Sequence, residues 1–373
     1  MILFTLQTLV LGLLLLLFSR KSGRFSLYPC LFAVTWTVAV LTIRVIYGVD
    51  HASFYSSDQS SQLELLQKFS REGISFSFDQ IIGTRYIVII PAWLLKSFGL
   101  DPLLAFKFLQ GLCLILTYRV CAEFISNQGL KIKLWHTILF SGPLFIFLSV
   151  LGLRDLQIVL CVSYFFLGKT STMRFFALCA SVLLRPHLTA ALIFGWLMSL
   201  WFARHPIKRM PIAVTALTVG GFVAGGYGYA IGGFLKYQIK YDSPFVFAQK
   251  AWWRFFANIL GLQFLTFGDD VVKMSISQLL VLRLFFIDTF LIPSLFILTL
   301  LNQNLKNSAL RTQVYISFVF FLGLATQTNF NSSRQNLPFL SIMGVLALLG
   351  IQQRKISETT DQPTRREIES WKN

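Results

Sequence analysis

The sequence predicts an all-α integral membrane protein, a bundle of many transmembrane helices. Apolar residues make up 55% of the 373 residues and charged residues only 13%, whereas soluble domains carry about 25% charged residues. The mean hydropathy of +0.65 and the 38 Phe residues exclude an ordinary soluble enzyme. The net charge of +17 fits loops beside an anionic membrane surface. No basic stretch interleaved with aromatic residues stands outside the apolar runs, so nucleic acid is not an expected partner.

Two long apolar runs open the chain and predict two transmembrane spans. Residues 1–19 are followed by Arg20 and Lys21, whereas a signal peptide is positive before its apolar core. We therefore interpret this run as a retained span with its N terminus outside. A second span is predicted at 29–48, and the first outer loop is predicted to cover 49–101.

Within that loop, residues 85–98 are too short to cross a membrane. Pro91 interrupts the run and Lys96 lies inside it, whereas a span needs roughly 20 mainly apolar residues. We predict a helix that lies in the outer interface. Residues 102–125 are long enough to cross to the inner side.

The next apolar runs alternate between long and short. Residues 134–152 are predicted to cross outward, and 156–168 to form a short span back. The run 175–202 is too long for one straight helix, so we predict a break at Pro186. Broken helices are tolerated at membrane depth where they line an enclosed or water-filled cavity.

The remaining chain completes a single predicted transmembrane domain, residues 1–351, of about ten or eleven helices. Its later spans are predicted at 211–232, 277–301, 313–328 and 336–351, with a second large outer loop at 233–275. Residues 352–373 are predicted to form a flexible cytoplasmic tail. The predicted inner segments carry 17 Lys and Arg residues against 4 acidic residues. The outer segments are closer to neutral, as the positive-inside rule requires.

Four polar islands fall on the predicted outer side, and ionisable groups at membrane depth are functional candidates. The islands are Asp50 and Asp58 in the first outer loop, Arg154 and Asp155 at a span end, Arg185 and His187 at the proline break, and Arg334 and Gln335 in a turn between spans. Arg binds phosphate oxygens through two nitrogens, and a carboxylate or imidazole can accept a proton from an attacking hydroxyl. Together these groups suit a phosphate-bearing donor.

Each island also has a structural interpretation that the sequence leaves open. The alternatives are a cap of a helix starting near Ser60 for Asp58, a local ion pair for Arg154 with Asp155, headgroup contact for Arg185 and Arg334, and a buried structural role for His187. The five Cys residues lie in apolar runs without metal-binding spacing, so we expect neither a disulfide nor a Cys-ligated metal. No cofactor is required. A divalent ion held by Asp50 and Asp58 beside a diphosphate stays an open alternative.

Short patterns between residues 45 and 135 follow a recognisable order. They are Ser57-Asp58-Gln59, Pro91-Ala92-Trp93-Leu94-Leu95, Ser97-Phe98-Gly99, and a long span followed by Lys131 and Lys133. This order resembles polytopic glycosyltransferases of the GT-C class. The resemblance implies a GT-C-like arrangement in which the acidic residue of the first outer loop, here Asp58 with Asp50 second, is the candidate base. Many members carry two adjacent acids there, whereas Gln59 follows Asp58 in this chain.

Three stretches of the second half follow another family pattern. They are Leu153-Arg154-Asp155-Leu156-Gln157, the run from Phe175-Phe176 to Leu184-Arg185-Pro186-His187, and Ser333-Arg334-Gln335-Asn336-Leu337-Pro338. These resemble bacterial polysaccharide polymerases of the Wzy and EpsG kind. Both resemblances imply transfer of a sugar or glycan from a polyprenyl phosphate or diphosphate at the outer face.

We therefore expect a multi-pass glycosyltransferase or polymerase of surface-polysaccharide synthesis in the bacterial inner (plasma) membrane, with its C terminus in the cytoplasm. Asp58 or His187 would accept the acceptor's proton, and the substrate would contact Asp50, Arg154, Asp155, Arg185, Arg334 and Gln335. The expected partners are a polyprenyl-linked sugar donor, a glycan acceptor, membrane lipids and other polysaccharide-assembly proteins. A transporter or flippase of a lipid-linked glycan is the alternative, and a scaffold of a synthase complex is a third.

Overall fold

The structure is a computed structural model. It describes residues 2–20, 27–47, 52–73, 86–152, 154–204, 215–223, 255–256, 259, 290–300, 307–325 and 337–370. Within these ranges the chain is about 90% helical and contains no β-strand, which confirms the all-α prediction.

The helices of the first third are α1 (Ile2–Arg20), α2 (Leu27–Tyr47), α3 (Ala52–Glu72), α4 (Tyr86–Ser97) and α5 (Pro102–Asn127). After them come a 3₁₀ helix (Leu134–Leu139), α6 (Pro143–Leu151), α7 (Asp155–Leu167), α8 (Ser171–Leu184) and α9 (Pro186–Arg204). The later helices are α10 (Ile292–Leu300), α11 (Ser308–Ala325) and α12 (Leu337–Ser370), and residues 215–223 are also helical.

Helix α5 has 26 residues and is largely buried within the bundle. Asp101 starts it by accepting hydrogen bonds from the backbone N–H of Leu103 and Leu104 at 2.9 and 3.2 Å, and Pro102 occupies the first turn. The Gln7 side chain of α1 donates to the Gly99 carbonyl at 2.9 Å. The start of α1 therefore lies beside the start of α5, at what we call the Asp101 end of the bundle.

The other end of α5 is joined to a helical hairpin made by α7 and α8. Glu123 forms an ion pair with Lys169, which lies in the turn between these two helices. Thr170 caps α8 by accepting from the Met173 N–H at 3.2 Å, and the Arg174 Nε donates to the Gly168 carbonyl at 3.0 Å. The closed tip of the hairpin therefore lies at what we call the Glu123 end.

The first half of α12 forms a second buried axis. Residues 337–350 are all buried, including Leu340, Val345 and Leu349. A Cβ added to Gly344 would lie 1.7 Å from the Leu139 carbonyl oxygen, so only glycine allows this close approach. The Ser341 hydroxyl donates to the Phe140 carbonyl at 2.8 Å, which fixes the 3₁₀ helix against α12.

Two helices among the described residues are long and apolar enough to cross a membrane, Leu27–Val45 and Pro102–Asn127. They match the spans predicted at 29–48 and 102–125. The fully described parts of the other apolar helices, such as Ile2–Phe18 and Pro186–Trp201, have 17 residues or fewer. The predicted set of ten or eleven crossings therefore stays a prediction.

Three segments differ from the sequence-based prediction. The span predicted at 134–152 is divided into the 3₁₀ helix and α6, because Pro143 lacks an N–H and disfavours helical geometry at Gly142. The outer loop contains α3, which begins at Ala52, so Asp58 lies inside a helix and does not cap one starting near Ser60. The segment from residue 352, predicted as a flexible tail, continues α12 to Ser370.

Candidate functional site

Arg185 and Asp155 meet at the open end of the α7–α8 hairpin. The Arg185 Nη2 atom lies 3.4 Å from the Asp155 Oδ1 atom. The Asp155 side chain is 1% exposed and the Arg185 side chain 17% exposed, so this is an interior contact. Asp155 is also the first residue of α7, where a negative charge is stabilised by the helix dipole. Two of the predicted substrate-binding residues are therefore brought together.

The break predicted at Pro186 is present and places Arg185 at this contact. Arg185 has an extended backbone, with φ −154° and ψ 94°, because a residue before proline avoids the helical region. Its N–H still donates to the Ser181 carbonyl at 2.8 Å, and its own carbonyl accepts from the Leu188 N–H at 3.0 Å. The residue thus ends α8 and begins α9 without losing either backbone hydrogen bond.

A hydroxyl pair bridges the break. The Ser181 and Thr189 hydroxyl oxygens are 2.7 Å apart and buried. Ser181 donates its single hydroxyl hydrogen to the Leu178 carbonyl at 2.7 Å, so Thr189 is the donor between the two hydroxyls. This bond fixes the start of α9 against the end of α8. It therefore restricts the backbone of Arg185, which lies between the two helices.

His187 lies one residue past Pro186, on the first turn of α9. Its ring stacks on Phe321 of α11, with centroids 5.6 Å apart and planes inclined by 11°. The positive charges of Arg185 and Arg154 both act on its imidazole. Three of the predicted basic side chains therefore share one region of the bundle.

Arg154 and Asp155 follow a tight turn between α6 and α7. Gly152 ends α6 with φ +75°, a left-handed conformation that favours glycine. The Arg154 carbonyl accepts from the Gln157 N–H at 3.1 Å and so opens α7. The turn packs on α5, because a Cβ added to Gly152 would lie 3.1 Å from the Lys107 backbone nitrogen.

Sequence reasoning missed Lys107 and Gln110, which lie one turn apart in α5. Both are 0% exposed. Neither the Lys107 Nζ nor the amide atoms of Gln110 have a hydrogen-bond partner among the described residues. A lysine within an apolar span is a signal that could have identified this position, since intramembrane ionisable groups are usually functional.

We call the set of Lys107, Gln110, Arg154, Asp155, Arg185 and His187 the polar layer. Helices α7 and α8 contain 13 and 14 residues. At 1.5 Å per residue each is about 20 Å long, shorter than the roughly 30 Å hydrocarbon core of a bilayer. The Asp155–Arg185 contact therefore lies about 20 Å from the hairpin tip at Lys169. The polar layer lies within the length of α5, among buried apolar side chains.

The remaining predicted site residues cannot be assigned to this layer. Asp50, Arg334 and Gln335 lie outside the described residues. Asp58 is part of α3, but its side chain is also outside the described part of the structure. Within the described ranges, no group of three or more His, Cys, Asp and Glu residues could hold a metal ion.

The polar layer contains the types of side chain that can bind an anion and accept a proton. It contains three basic side chains that are charged at neutral pH, Lys107, Arg154 and Arg185, and one acidic side chain, Asp155, which contacts Arg185. Guanidinium groups bind phosphate oxygens, and an imidazole nitrogen can accept a proton. No family model, curated protein or solved structure matches the chain.

Proposed function

We propose that this chain is a multi-pass membrane glycosyltransferase of surface-polysaccharide synthesis, and that the polar layer binds the phosphate of a polyprenyl-linked donor. The observation that supports this most directly is the Arg185–Asp155 contact, 3.4 Å long and enclosed at the open end of a short hairpin. Buried ionic groups in an apolar bundle are costly and are usually retained for function.

The outward surface of the helices supports a membrane location. Large apolar side chains are exposed along one stripe of each of several helices. Examples are Leu6, Leu9 and Leu13 on α1, Leu31, Val34 and Val38 on α2, and Ile193, Trp196 and Leu200 on α9. Their spacing of three or four residues follows the helical repeat, so each stripe forms a continuous apolar surface. Such a surface is suited to lipid chains and not to water.

The helix directions support a polar layer nearer the outer face. Under the proposed topology, α1 begins outside, and the Gln7–Gly99 hydrogen bond brings its start to the Asp101 end of α5. Lys107 is six residues below Asp101, about 9 Å along the helix. Lys169 and Lys131 lie toward the opposite end, as the positive-inside rule requires of cytoplasmic segments. We propose that the C terminus is also cytoplasmic, because Gln352 of α12 lies 3.2 Å from His136, which follows Lys131 and Lys133 in the chain.

In the proposed reaction the acceptor hydroxyl oxygen attacks the anomeric carbon of the donor sugar. The bond between that carbon and the phosphate oxygen breaks, and the phosphate leaves with the electron pair. The hydroxyl proton passes to His187 or to Asp58. Arg154 and Arg185 stabilise the negative charge that develops on the phosphate. Arg334 and Gln335 are proposed to contact the same donor.

Asp155 has a different proposed role from the Arg residues. Its carboxylate is negatively charged and would repel a phosphate if it faced the donor alone. It is instead buried against Arg185. We propose that it orients the Arg185 guanidinium and so acts as a positioning residue. A second nitrogen of Arg185 can then contact the donor, because a guanidinium has five N–H donors.

The test is complementation of a strain that lacks the gene, scored by the length distribution of its surface glycan. The variants are Arg154→Ala, Arg185→Ala, His187→Ala, Arg334→Ala and Asp58→Ala. The control is Arg71→Ala, an exposed basic residue on α3, and membrane levels of every variant are measured. We expect long glycan chains to disappear in the variants of Arg154, Arg185, His187 and Arg334 and to persist in the control. Their loss in Asp58→Ala with persistence in His187→Ala would assign proton acceptance to Asp58.

The position of the lipid-linked precursor separates this proposal from its rivals. A transferase defect leaves the precursor accumulating at the outer face, whereas a flippase defect leaves it at the inner face. Normal glycan in all five variants at normal protein levels would reject both the transferase and the site.

A further inference from the structure

A large cavity opens at the Glu123 end of the bundle, away from the polar layer. Its volume is about 860 Å³, within the range of small-molecule sites. It lies between the end of α1, the start of α2, the second half of α5 and the loop that follows α5. Arg119, which lines it, is twelve residues beyond Lys107, so the two sites are about 18 Å apart along α5.

One wall of this cavity is apolar and rigid. Phe18, Leu27 and Ile115 line it. Beside them, Tyr28 and Tyr118 stack with ring centroids 4.8 Å apart, and the Tyr28 hydroxyl donates to the Ser141 carbonyl at 2.6 Å. The wall is therefore held in place by α2, α5 and the segment before α6, and it offers a surface to a hydrocarbon chain.

The rim of the cavity is basic. Arg119, Lys131 and Lys133 line it, and none of them forms an ion pair within the described ranges. Glu123 also lines the cavity, but its carboxylate is paired with Lys169. The rim therefore carries a local excess of positive charge above the apolar wall.

The loop that carries two of these lysines is fixed in position. The Lys133 backbone N–H donates to the His136 Nδ1 atom at 3.0 Å. Because Nδ1 accepts, the His136 Nε2 atom carries the ring hydrogen, and it lies 3.2 Å from the side-chain amide of Gln352 on α12. Because this chain of contacts ties the loop to a second helix, the basic rim is formed before any ligand arrives.

We infer that this cavity binds a membrane lipid with a phosphate headgroup. The phosphate would contact Arg119, Lys131 and Lys133, and an acyl chain would lie along Phe18, Leu27 and Ile115. A basic rim over an apolar wall suits neither a neutral lipid nor a soluble anion. Basic pockets between helices on the cytoplasmic side are common sites for anionic lipid headgroups. This site does not depend on the proposed glycosyl transfer.

The test measures lipid binding to the purified full chain in a neutral detergent by native mass spectrometry. The probes are dioleoyl phosphatidylglycerol, dioleoyl phosphatidylcholine and soluble glycerol 1-phosphate. We expect phosphatidylglycerol to bind about tenfold more tightly than phosphatidylcholine, because only its headgroup has net negative charge. Equal binding of the two lipids would overturn the inference. Displacement of phosphatidylglycerol by an equal concentration of glycerol 1-phosphate would overturn it in favour of a soluble anion site.

Two variants locate the binding site. Arg119→Gln/Lys131→Gln/Lys133→Gln should weaken phosphatidylglycerol binding at least about tenfold. The matched control Lys68→Gln/Arg71→Gln/Lys96→Gln removes the same charge from α3 and α4 and should leave binding unchanged. Ala122→Trp fills the cavity without changing charge and should also abolish binding. Unchanged binding in both cavity variants, with native helix content, would reject this location.

Discussion

Arg185 contacts Asp155 across thirty residues of chain, with the guanidinium Nη2 3.4 Å from the carboxylate Oδ1. The two residues join the open end of the α7–α8 hairpin, opposite the tip at Lys169. The Asp155 carboxylate is enclosed, so its charge depends on contacts such as this one. The proposed donor binding and the stability of the fold therefore depend on the same contact, and substitutions can separate the two.

Arg185→Ala should destabilise the protein by about 3–5 kcal/mol, because it leaves a buried carboxylate without this cation. Asp155→Ala should cost a similar amount, whereas the double variant should cost clearly less than the sum. Unfolding in mixed micelles with a denaturing detergent measures all three free energies. Additive losses would show that the two side chains do not interact in the folded protein.

His187→Phe should abolish long-chain glycan while leaving stability nearly unchanged. A phenyl ring can keep the stacking on Phe321, but it has no nitrogen to accept a proton. Phe321→Leu is the converse control, because it removes the stacking and keeps the imidazole. It should lower stability by about 1 kcal/mol and preserve some transfer. Full-length glycan made by His187→Phe would assign proton acceptance to Asp58 instead.

Lys107→Met should stabilise the protein by about 1–3 kcal/mol and reduce glycan synthesis. The substitution removes a buried nitrogen that has no hydrogen-bond partner among the described residues and keeps the length of the side chain. Lys96→Met is the matched control, because its ammonium already donates to the Ser70 hydroxyl at 3.2 Å. No stabilisation is expected there. A lower unfolding temperature for Lys107→Met would show that the nitrogen is partnered in the folded protein.

Gly152→Ala should destabilise the protein more than Gly129→Ala. Both glycines have left-handed backbones, with φ +75° and +79°, so an alanine strains each by about 1–2 kcal/mol. A Cβ on Gly129 meets no atom within 4 Å, whereas one on Gly152 meets the Lys107 backbone nitrogen at 3.1 Å. The difference in unfolding free energy, about 1–3 kcal/mol, measures the packing of the turn on α5. Equal losses would contradict that packing.

Local pattern was enough to predict several helices. Helix α5 begins at Pro102, as predicted, and α4 and α7 occupy the runs predicted at 85–98 and 156–168 to within one residue. The break at Pro186 was also predicted correctly. In each case the information lies within the segment itself, as apolar length, a capping residue or a proline.

Other features depend on neighbours that are distant in sequence. The division of residues 134–152 depends on Pro143 and is supported by the Ser341–Phe140 hydrogen bond, which joins segments about two hundred residues apart. Lys107 and Gln110 were passed over because they lie in an otherwise apolar run. Only the tertiary structure shows that the Gly152 turn packs on α5 at Lys107.

The sequence by itself determined that this protein is all-helical and apolar, and that Arg154, Asp155, Arg185 and His187 are costly residues at the ends of apolar runs. Helix formation and burial preference are local properties, so composition and spacing are sufficient for them. Only the tertiary structure decided that Arg185 meets Asp155, that His187 stacks on Phe321, and that a basic cavity opens at the Glu123 end. These contacts and this cavity depend on how the helices pack, because residues far apart in sequence contribute to each of them.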